Sequence, residues 1–197
     1  MTFKPAFPPV IVLLLLITAG CTVFPDAEPS RLLDPQPEMP TASGNEPQSW
    51  TLNVARPETD PMRDSTRVLV RTENGQLQVH PSANWIAATP DLLRLLLVRH
   101  VRDTDRLAQV SSGAAGLDRT LALDLRQFEL AEVPGSLQAR IELEARLYDS
   151  SSGKLLGRRL FQQREQVDSI EPARVNTGFE TALAALIPEL ADWLIAQ

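Results

Sequence analysis

Residues 136–149 read Ser-Leu-Gln-Ala-Arg-Ile-Glu-Leu-Glu-Ala-Arg-Leu-Tyr-Asp, and this stretch decides the fold. Apolar and polar side chains alternate along it, which is typical of a β-strand with one buried face and one solvent-exposed face. Antiparallel sheets tolerate water on one face, so we predict an antiparallel strand here. Turn residues bound the stretch on both sides, with Pro134 and Gly135 before it and residues 150–153 after it.

The segments on either side of this stretch also predict strands. Residues 121–125 carry leucine at every second position, whereas Phe128 and Leu130 have the opposite parity. A β-bulge near Gln127 accounts for the slip, because one extra residue returns the apolar side chains to the buried face. Residues 155–167 predict a third strand, so the three strands are expected to form a meander.

Shorter strand-like runs precede the meander, at residues 49–54 and 67–72. Asn74 and Gly75 predict a tight hairpin turn after the second run, because both residues tolerate positive φ. Residues 76–80 are then expected to return as the partner strand.

Thr89, Pro90 and Asp91 predict the start of a helix that ends near Asp103. Threonine caps helices, proline fits the first helical position, and an acid interacts favourably with the helix dipole there. The apolar residues of this helix cover more than one stripe: Leu92, Leu93, Leu95, Leu96, Leu97, Val98 and Val101. Either the helix is sandwiched inside the domain, or part of it contacts protein. The second possibility predicts self-association, or binding of a partner segment along this helix or an exposed sheet edge.

A second helix is predicted near the C-terminus. Asp168 and Glu171 suggest a capping box, and Pro172 is tolerated in the first turn. An apolar stripe follows at helical spacing: Val175, Phe179, Leu183, Leu186, Leu190 and Trp193. The predicted fold class is therefore α+β, an antiparallel or mixed sheet with two helices packed on one face.

Cys21 is the only cysteine and follows a signal-like segment. Lys4 precedes an apolar run at residues 10–17 that is too short to span a bilayer. Ala19, Gly20 and Cys21 resemble the bacterial lipobox, although Thr18 stands where leucine is usual, and this implies that residues 1–20 are a lipoprotein signal peptide and that Cys21 is lipidated. The alternatives are an ordinary secretory signal that leaves a free thiol at Cys21, and a retained membrane anchor.

Residues 21–48 are predicted to be a tether that begins at the lipidated cysteine. Six prolines and several acids occur there with almost no apolar periodicity. An extended chain rises about 3.1 Å per residue, so this tether would reach roughly 85 Å. Residues 49–197 are then the folded domain, which would stand well clear of the lipid surface.

The bulk composition argues against nucleic-acid binding. Cleavage before Cys21 leaves 197 − 20 = 177 residues, and the loss of Lys4 changes the formal net charge from −6 to −7. Nucleic-acid binding needs a clustered basic face, and the longest basic grouping is the pair Arg158 and Arg159. With its cysteine lipidated, the chain has no disulfide or thiolate chemistry.

Motifs for catalysis, phosphate binding and metal binding are absent from the sequence, so no catalytic, cofactor or metal site is predicted. His80 and His100 are expected to be surface or rim imidazoles. Glu142 and Glu144 are expected to form cross-strand ion pairs rather than an acid catalyst.

Three aromatic residues are expected to have structural rather than functional roles. Trp85 and Trp193 lie next to apolar helix residues and are expected in the core, with contact to lipid as the alternative. Tyr148 and Asp149 are read as turn residues.

The order of these elements resembles the auxiliary lipoproteins of ABC-type transport systems, the PqiC-like proteins, over roughly residues 49–197. The landmarks are Trp50, Trp85 ahead of Pro90, Phe128 with Glu129, Tyr148 with Asp149, Gly153, Phe161, and Trp193 with Leu194. The resemblance implies a fold similar to the N-terminal domain of TolB.

The resemblance also implies a function in the Gram-negative envelope. The chain is expected to be a non-enzymatic accessory to an ABC permease and an MCE-type protein that move lipid or other hydrophobic compounds. Thr22 is not the acidic residue that retains many lipoproteins in the inner membrane, so the periplasmic face of the outer membrane is the expected location. The alternative function is a lipid-binding periplasmic carrier module.

Overall fold

The computed structural model describes residues 29–40 and 47–197. The predicted signal peptide, Cys21 and residues 22–28 and 41–46 of the predicted tether lie outside the described residues. The elements, in chain order, are β1 (Arg31–Leu33), β2 (Gln48–Val54), β3 (Arg67–Arg71), β4 (Leu77–Trp85), α1 (Thr89–Asp103), β5 (Leu107–Ser111), β6 (Arg119–Val133), β7 (Ser136–Asp149), β8 (Leu155–Val167) and α2 (Pro172–Ile195).

The strands form one mixed sheet of eight, built around β6. Strand β7 pairs antiparallel along one side of β6, and β8 pairs antiparallel with β7. On the other side of β6, β2 pairs parallel with its first residues and β3 pairs parallel near its last. The predicted meander is confirmed, and so is the bulge, because the β6/β7 register shifts between Leu125 and Gln127.

Both helices pack against one face of the sheet, so the α+β class with two helices is confirmed. The centre of the core is an aromatic cluster of Trp85, Phe128 and Phe179, with ring centroids 4.7 to 5.4 Å apart. Trp85 is thus a core residue, as expected. Trp193 is half-buried, with its ring 5.7 Å from that of Phe161.

Both helices begin differently from the prediction. The N-cap of α1 is Ala88, not Thr89, and the Thr89 hydroxyl instead donates to the buried carbonyl of Arg63 at 2.5 Å. A buried carbonyl without a donor is costly, which explains this choice. The N-cap of α2 is Glu171 and makes no side-chain cap bond, so the capping box with Asp168 is wrong. Pro172 fits the first helical position, and the helix begins there.

The hairpin between β3 and β4 is longer than predicted. The Gly75 N–H donates to the Thr72 carbonyl at 2.8 Å, and Gly75 has φ of 84°. Asn74 does not share this conformation, since Asp105 is the only non-glycine with positive φ in the part of the chain that the structure describes. A turn closed by one left-handed glycine therefore replaces the predicted two-residue turn.

Strand β5, which pairs parallel with β2, was not predicted from the sequence. Strand β1 falls in the predicted tether, but it pairs parallel with β4 and places Leu33 opposite Trp85. Leu33 is buried, Met39 packs against the core, and the Gln36 N–H donates to a Glu180 carboxylate oxygen at 3.0 Å. Residues 31–40 thus lie on the domain.

Across residues 29–40 and 47–197, no helix is long and apolar enough to cross a membrane.

Candidate partner-binding surface

The face of the sheet opposite the helices is the strongest candidate surface for function. Where this face lies on the meander, it carries acidic and basic side chains side by side. We call this part the meander face, and its charged residues are Asp124, Arg126, Glu142, Glu144, Arg146 and Arg158. The alternation of β7 places them there, because every second side chain points away from the helices.

Glu144 is the centre of the meander face. Its side chain is only 7% exposed. It accepts a hydrogen bond from Arg126 on β6 at 2.5 Å and one from Arg158 on β8 at 2.7 Å. These bonds, that of Arg158 foremost, lower the pKa of Glu144 below its usual value. The predicted cross-strand ion pairing is confirmed for Glu144, and a carboxylate held ionised in this way is a poor proton donor.

The arginines around Glu144 remain open to solvent. Arg158 is 62% exposed and Arg126 is 38% exposed. Glu142 lies beside them and accepts a hydrogen bond from Gln162 at 2.6 Å. Each guanidinium has five N–H donors, so both arginines retain donors for a polar partner while Glu144 fixes their positions.

The second part of the candidate surface is the outer edge of β8. This strand has 13 residues and, within residues 29–40 and 47–197, pairs only with β7. An unpaired strand edge is a template for an added strand. The strand and the residue before it carry four basic side chains, Lys154, Arg158, Arg159 and Arg164, against one acid, Glu165. Arg159 is neutralised by Glu189 of α2.

A buried ion cluster that was not predicted from the sequence lies near the centre of the sheet. Glu129 on β6 is 1% exposed and is paired with Arg63 and Arg71. Arg63 also pairs with Asp60. The cluster holds residues 60–66 against the outer face of the sheet. The sequence signal for this cluster was Glu129, a charged residue next to Phe128 in a central strand. Its partners could not be identified from the sequence, because Arg63 and Arg71 lie at distant positions.

The two histidines are not surface or rim residues, so that expectation is wrong. His80 is buried, donates through Nε2 to the Ile170 carbonyl at 2.7 Å and accepts from the Ser82 N–H at 3.2 Å. His100 is buried late in α1, and burial lowers its pKa. Tertiary packing buries both imidazole rings, and the spacing of residues in the sequence does not predict this burial.

Asp149 is the last residue of β7, and its side chain orders the turn that follows, as expected. It accepts hydrogen bonds from the hydroxyls of Ser152 and Ser151, both at 2.7 Å, and from the Ser152 N–H at 2.8 Å. These bonds, with that of the Ser152 hydroxyl the largest cause, lower the pKa of Asp149 to about 2. Among the described residues, no group of His, Cys, Asp and Glu has the arrangement of a metal site.

Helix α1 offers less apolar surface than predicted. Of its crowded apolar residues only Leu95 is exposed, because β-strands cover one side of the helix and α2 another. The helix is therefore sandwiched inside the domain, and the expectation of a broad apolar contact surface along it is wrong. The sheet edge remains as the route for a partner.

The chain belongs to the family of ABC-type transport auxiliary lipoprotein components, whose model matches residues 32–191. The match begins within β1, in agreement with the place of that strand in the domain.

Solved structures share the fold. The crystal structure of protein XCC0632 from Xanthomonas campestris is 31% identical, with a TM-score of 0.81 over 85% of this chain and 95% of that one. A hypothetical protein from Chlamydia trachomatis has a TM-score of 0.52 at 5% identity, over 76% of this chain and all of that one. The fold thus persists where little sequence similarity remains.

A curated relative is an uncharacterized protein of Bradyrhizobium diazoefficiens. It is 30% identical over 114 residues, which is 56% of this chain. The matched part spans 30% of the length of that relative.

Proposed function

We propose that this chain is a non-enzymatic lipoprotein that anchors an ABC- and MCE-type transport assembly, for lipids or other hydrophobic compounds, to the periplasmic face of the outer membrane. The observation that carries the proposal is the free edge of β8 beside the open charges of the meander face. A long strand with one unpaired edge, next to arginines that Glu144 holds in position, is suited to binding another protein. Membership of the transport auxiliary family supports a transporter as that protein.

The anchor in this proposal is a lipid on Cys21, the only cysteine of the chain. A covalently attached lipid anchors a chain to a membrane surface without a spanning helix. Thr22 supports the outer membrane over the inner one, as argued from the sequence.

Membrane fractionation tests the anchor. The unmodified protein is expected in outer-membrane fractions, and Cys21→Ala is expected in the soluble periplasmic fraction, because it removes the only thiol that can carry the lipid. Recovery with inner-membrane markers contradicts the location. A Cys21→Ala protein that stays on the membrane contradicts the lipid anchor.

The partner surface is tested by charge reversal on β8. The double variant Arg158→Glu with Arg164→Glu is expected to reduce co-purification with the organism's own purified ABC/MCE complex by roughly tenfold. Arg99→Glu is the matched control, because Arg99 is also exposed but lies on α1 in the helix layer. Equal binding by the double variant and the control contradicts the assignment of the surface.

The alternative of a lipid carrier requires an interior cavity between sheet and helices. The side chains from both layers meet there in the aromatic cluster, with Phe128 stacked on Phe179 at 4.7 Å. This packing supports an anchor over a carrier. Native mass spectrometry discriminates the two, because near-stoichiometric bound lipid in the folded domain is expected only of a carrier.

A further inference from the structure

We infer that the edge of the sheet formed by β1 and β4 lies against the bilayer, and that the exposed side chains of Arg31, Leu32 and Ile86 at this edge, with Arg67 on the adjoining strand β3, contact the lipid surface. We call these four residues the edge patch. The inference rests on the proposed lipid at Cys21 and goes beyond it by assigning an orientation and a contact surface to the domain.

Only a short length of chain lies between the proposed lipid and the fold. Because β1 begins at Arg31, only residues 22–30 separate it from Cys21. At about 3.1 Å each, nine residues reach at most roughly 28 Å, far less than the 85 Å expected of the whole predicted tether. A domain of this size has a radius of gyration of about 15 Å, so its diameter exceeds this span. The β1 edge is therefore held near the membrane.

Strand β1 is fixed firmly to the domain. Its three residues pair with Ala83, Asn84 and Trp85 of β4. Leu33 is buried, and the Asn84 side chain donates to the Ser30 hydroxyl at 2.7 Å. The chain thus leaves the domain at a defined point. A lipid on Cys21, joined to this point by a short linker, therefore orients that edge toward the bilayer.

The edge patch exposes two large apolar side chains. Leu32 is 69% exposed, the highest value for a large apolar side chain in the described part of the chain, and Ile86 is 53% exposed. The register Leu32–Asn84–Arg67 places Leu32 and Arg67 on the same sheet face. The Ile86 N–H donates to the Leu33 carbonyl at 2.9 Å, which holds Ile86 at the same edge.

The charges of the edge patch suit a phospholipid surface. Arg31 and Arg67 are exposed, and neither has a carboxylate partner within residues 29–40 and 47–197. Leu32 beside Arg67, with Arg31 on the opposite face of the same edge strand, fits the headgroup region, where arginines meet phosphates and apolar groups enter the acyl boundary.

The sheet order gives this orientation a consequence for the partner surface. From β1 the sheet runs through β4, β3, β6 and β7 to β8. Strands are about 4.8 Å apart, so β8 lies roughly 24 Å from β1 across the sheet. With β1 against the bilayer, the free edge of β8 points away from it, toward a periplasmic partner.

Depth-dependent quenching tests the edge patch in the full lipidated protein. Leu32→Cys, Ile86→Cys and the control Leu160→Cys each add one thiol, which is labelled with the fluorophore NBD after the Cys21 thiol has been lipidated. Leu160 is the matched control because it is an exposed leucine on β8. The proteins are reconstituted in phosphatidylethanolamine and phosphatidylglycerol vesicles with nitroxide-labelled lipid.

The expected result is quenching at positions 32 and 86 roughly threefold stronger than at position 160. Equal quenching at all three positions overturns the inference. A blue-shifted label at position 32 that nitroxide lipid does not quench also overturns it, because protein then covers the patch. Arg31→Glu with Arg67→Glu is expected to reduce the quenching, whereas Arg99→Glu leaves it unchanged.

Mass spectrometry of the same preparations separates this inference from the proposed function. Lipid on Cys21 without quenching at positions 32 and 86 means that the edge patch is wrong while the anchor stands. Absence of lipid on Cys21 overturns both.

Discussion

Replacing Leu93 with glutamate is expected to unfold the domain. Leu93 lies in α1, is 1% exposed and belongs to the hydrophobic core to which the sheet and both helices contribute. An ionised carboxylate there has no partner, and its burial costs more than about 4 kcal/mol. Domains are stable by only about 5–15 kcal/mol, so this cost removes much or all of the stability. Thermal melting followed by circular dichroism measures the loss.

Leu95→Glu is the matched control for this variant. Leu95 lies in the same helix two residues later, but it is 53% exposed. The same substitution leaves its carboxylate in water, so a change within about 0.5 kcal/mol is expected. A folded Leu93→Glu protein with an unchanged melting temperature would show that α1 is covered less completely than in the structure, and would reopen the helix as a contact surface.

The meander was predictable because its signals are local. Consecutive residues show both the apolar and polar alternation of β7 and the shift of the apolar positions before Phe128. The strand follows from the first signal and the bulge from the second. Turn residues at Pro134 and Gly135 add a third local signal, and Gly135 has the positive φ of 76° that the turn requires.

Short strands were missed because distant pairing defines them. Strand β1 has three residues among prolines, and it forms only because β4 offers an edge and the core accepts Leu33. Strand β5 likewise follows from its pairing with β2. Three to five residues of weak alternation give no period to detect.

Burial of polar residues was also beyond local reasoning. Thr89 was expected to cap a helix, but its hydroxyl serves the carbonyl of Arg63, 26 residues earlier. The burial of His80 depends on the carbonyl of Ile170, 90 residues later. Sequence spacing indicated which faces are apolar, whereas the partner of each polar group is set by the tertiary fold.

Glu129→Ala is expected to destabilise the domain by about 3–5 kcal/mol, because it leaves the buried guanidinium of Arg63 without its carboxylate. Arg63 and Glu129 have side-chain exposures of 9% and 1%. For a domain of this size the melting temperature should fall by roughly 10 °C. Chemical denaturation of the unmodified and variant proteins gives the free energy of unfolding. Glu142→Ala is the control, because Glu142 on the same sheet face is more exposed and bonds to Gln162.

A double variant separates the loss of the ion pair from the cost of the stranded charge. Arg63→Met together with Glu129→Leu removes both charges, and replacing a buried pair by apolar residues of similar volume is often close to neutral. The double variant should therefore be more stable than Glu129→Ala, although Asp60 and Arg71 lose a partner. A double variant no more stable than Glu129→Ala would mean that the ion pair itself, rather than the stranded arginine, holds residues 60–66 on the sheet.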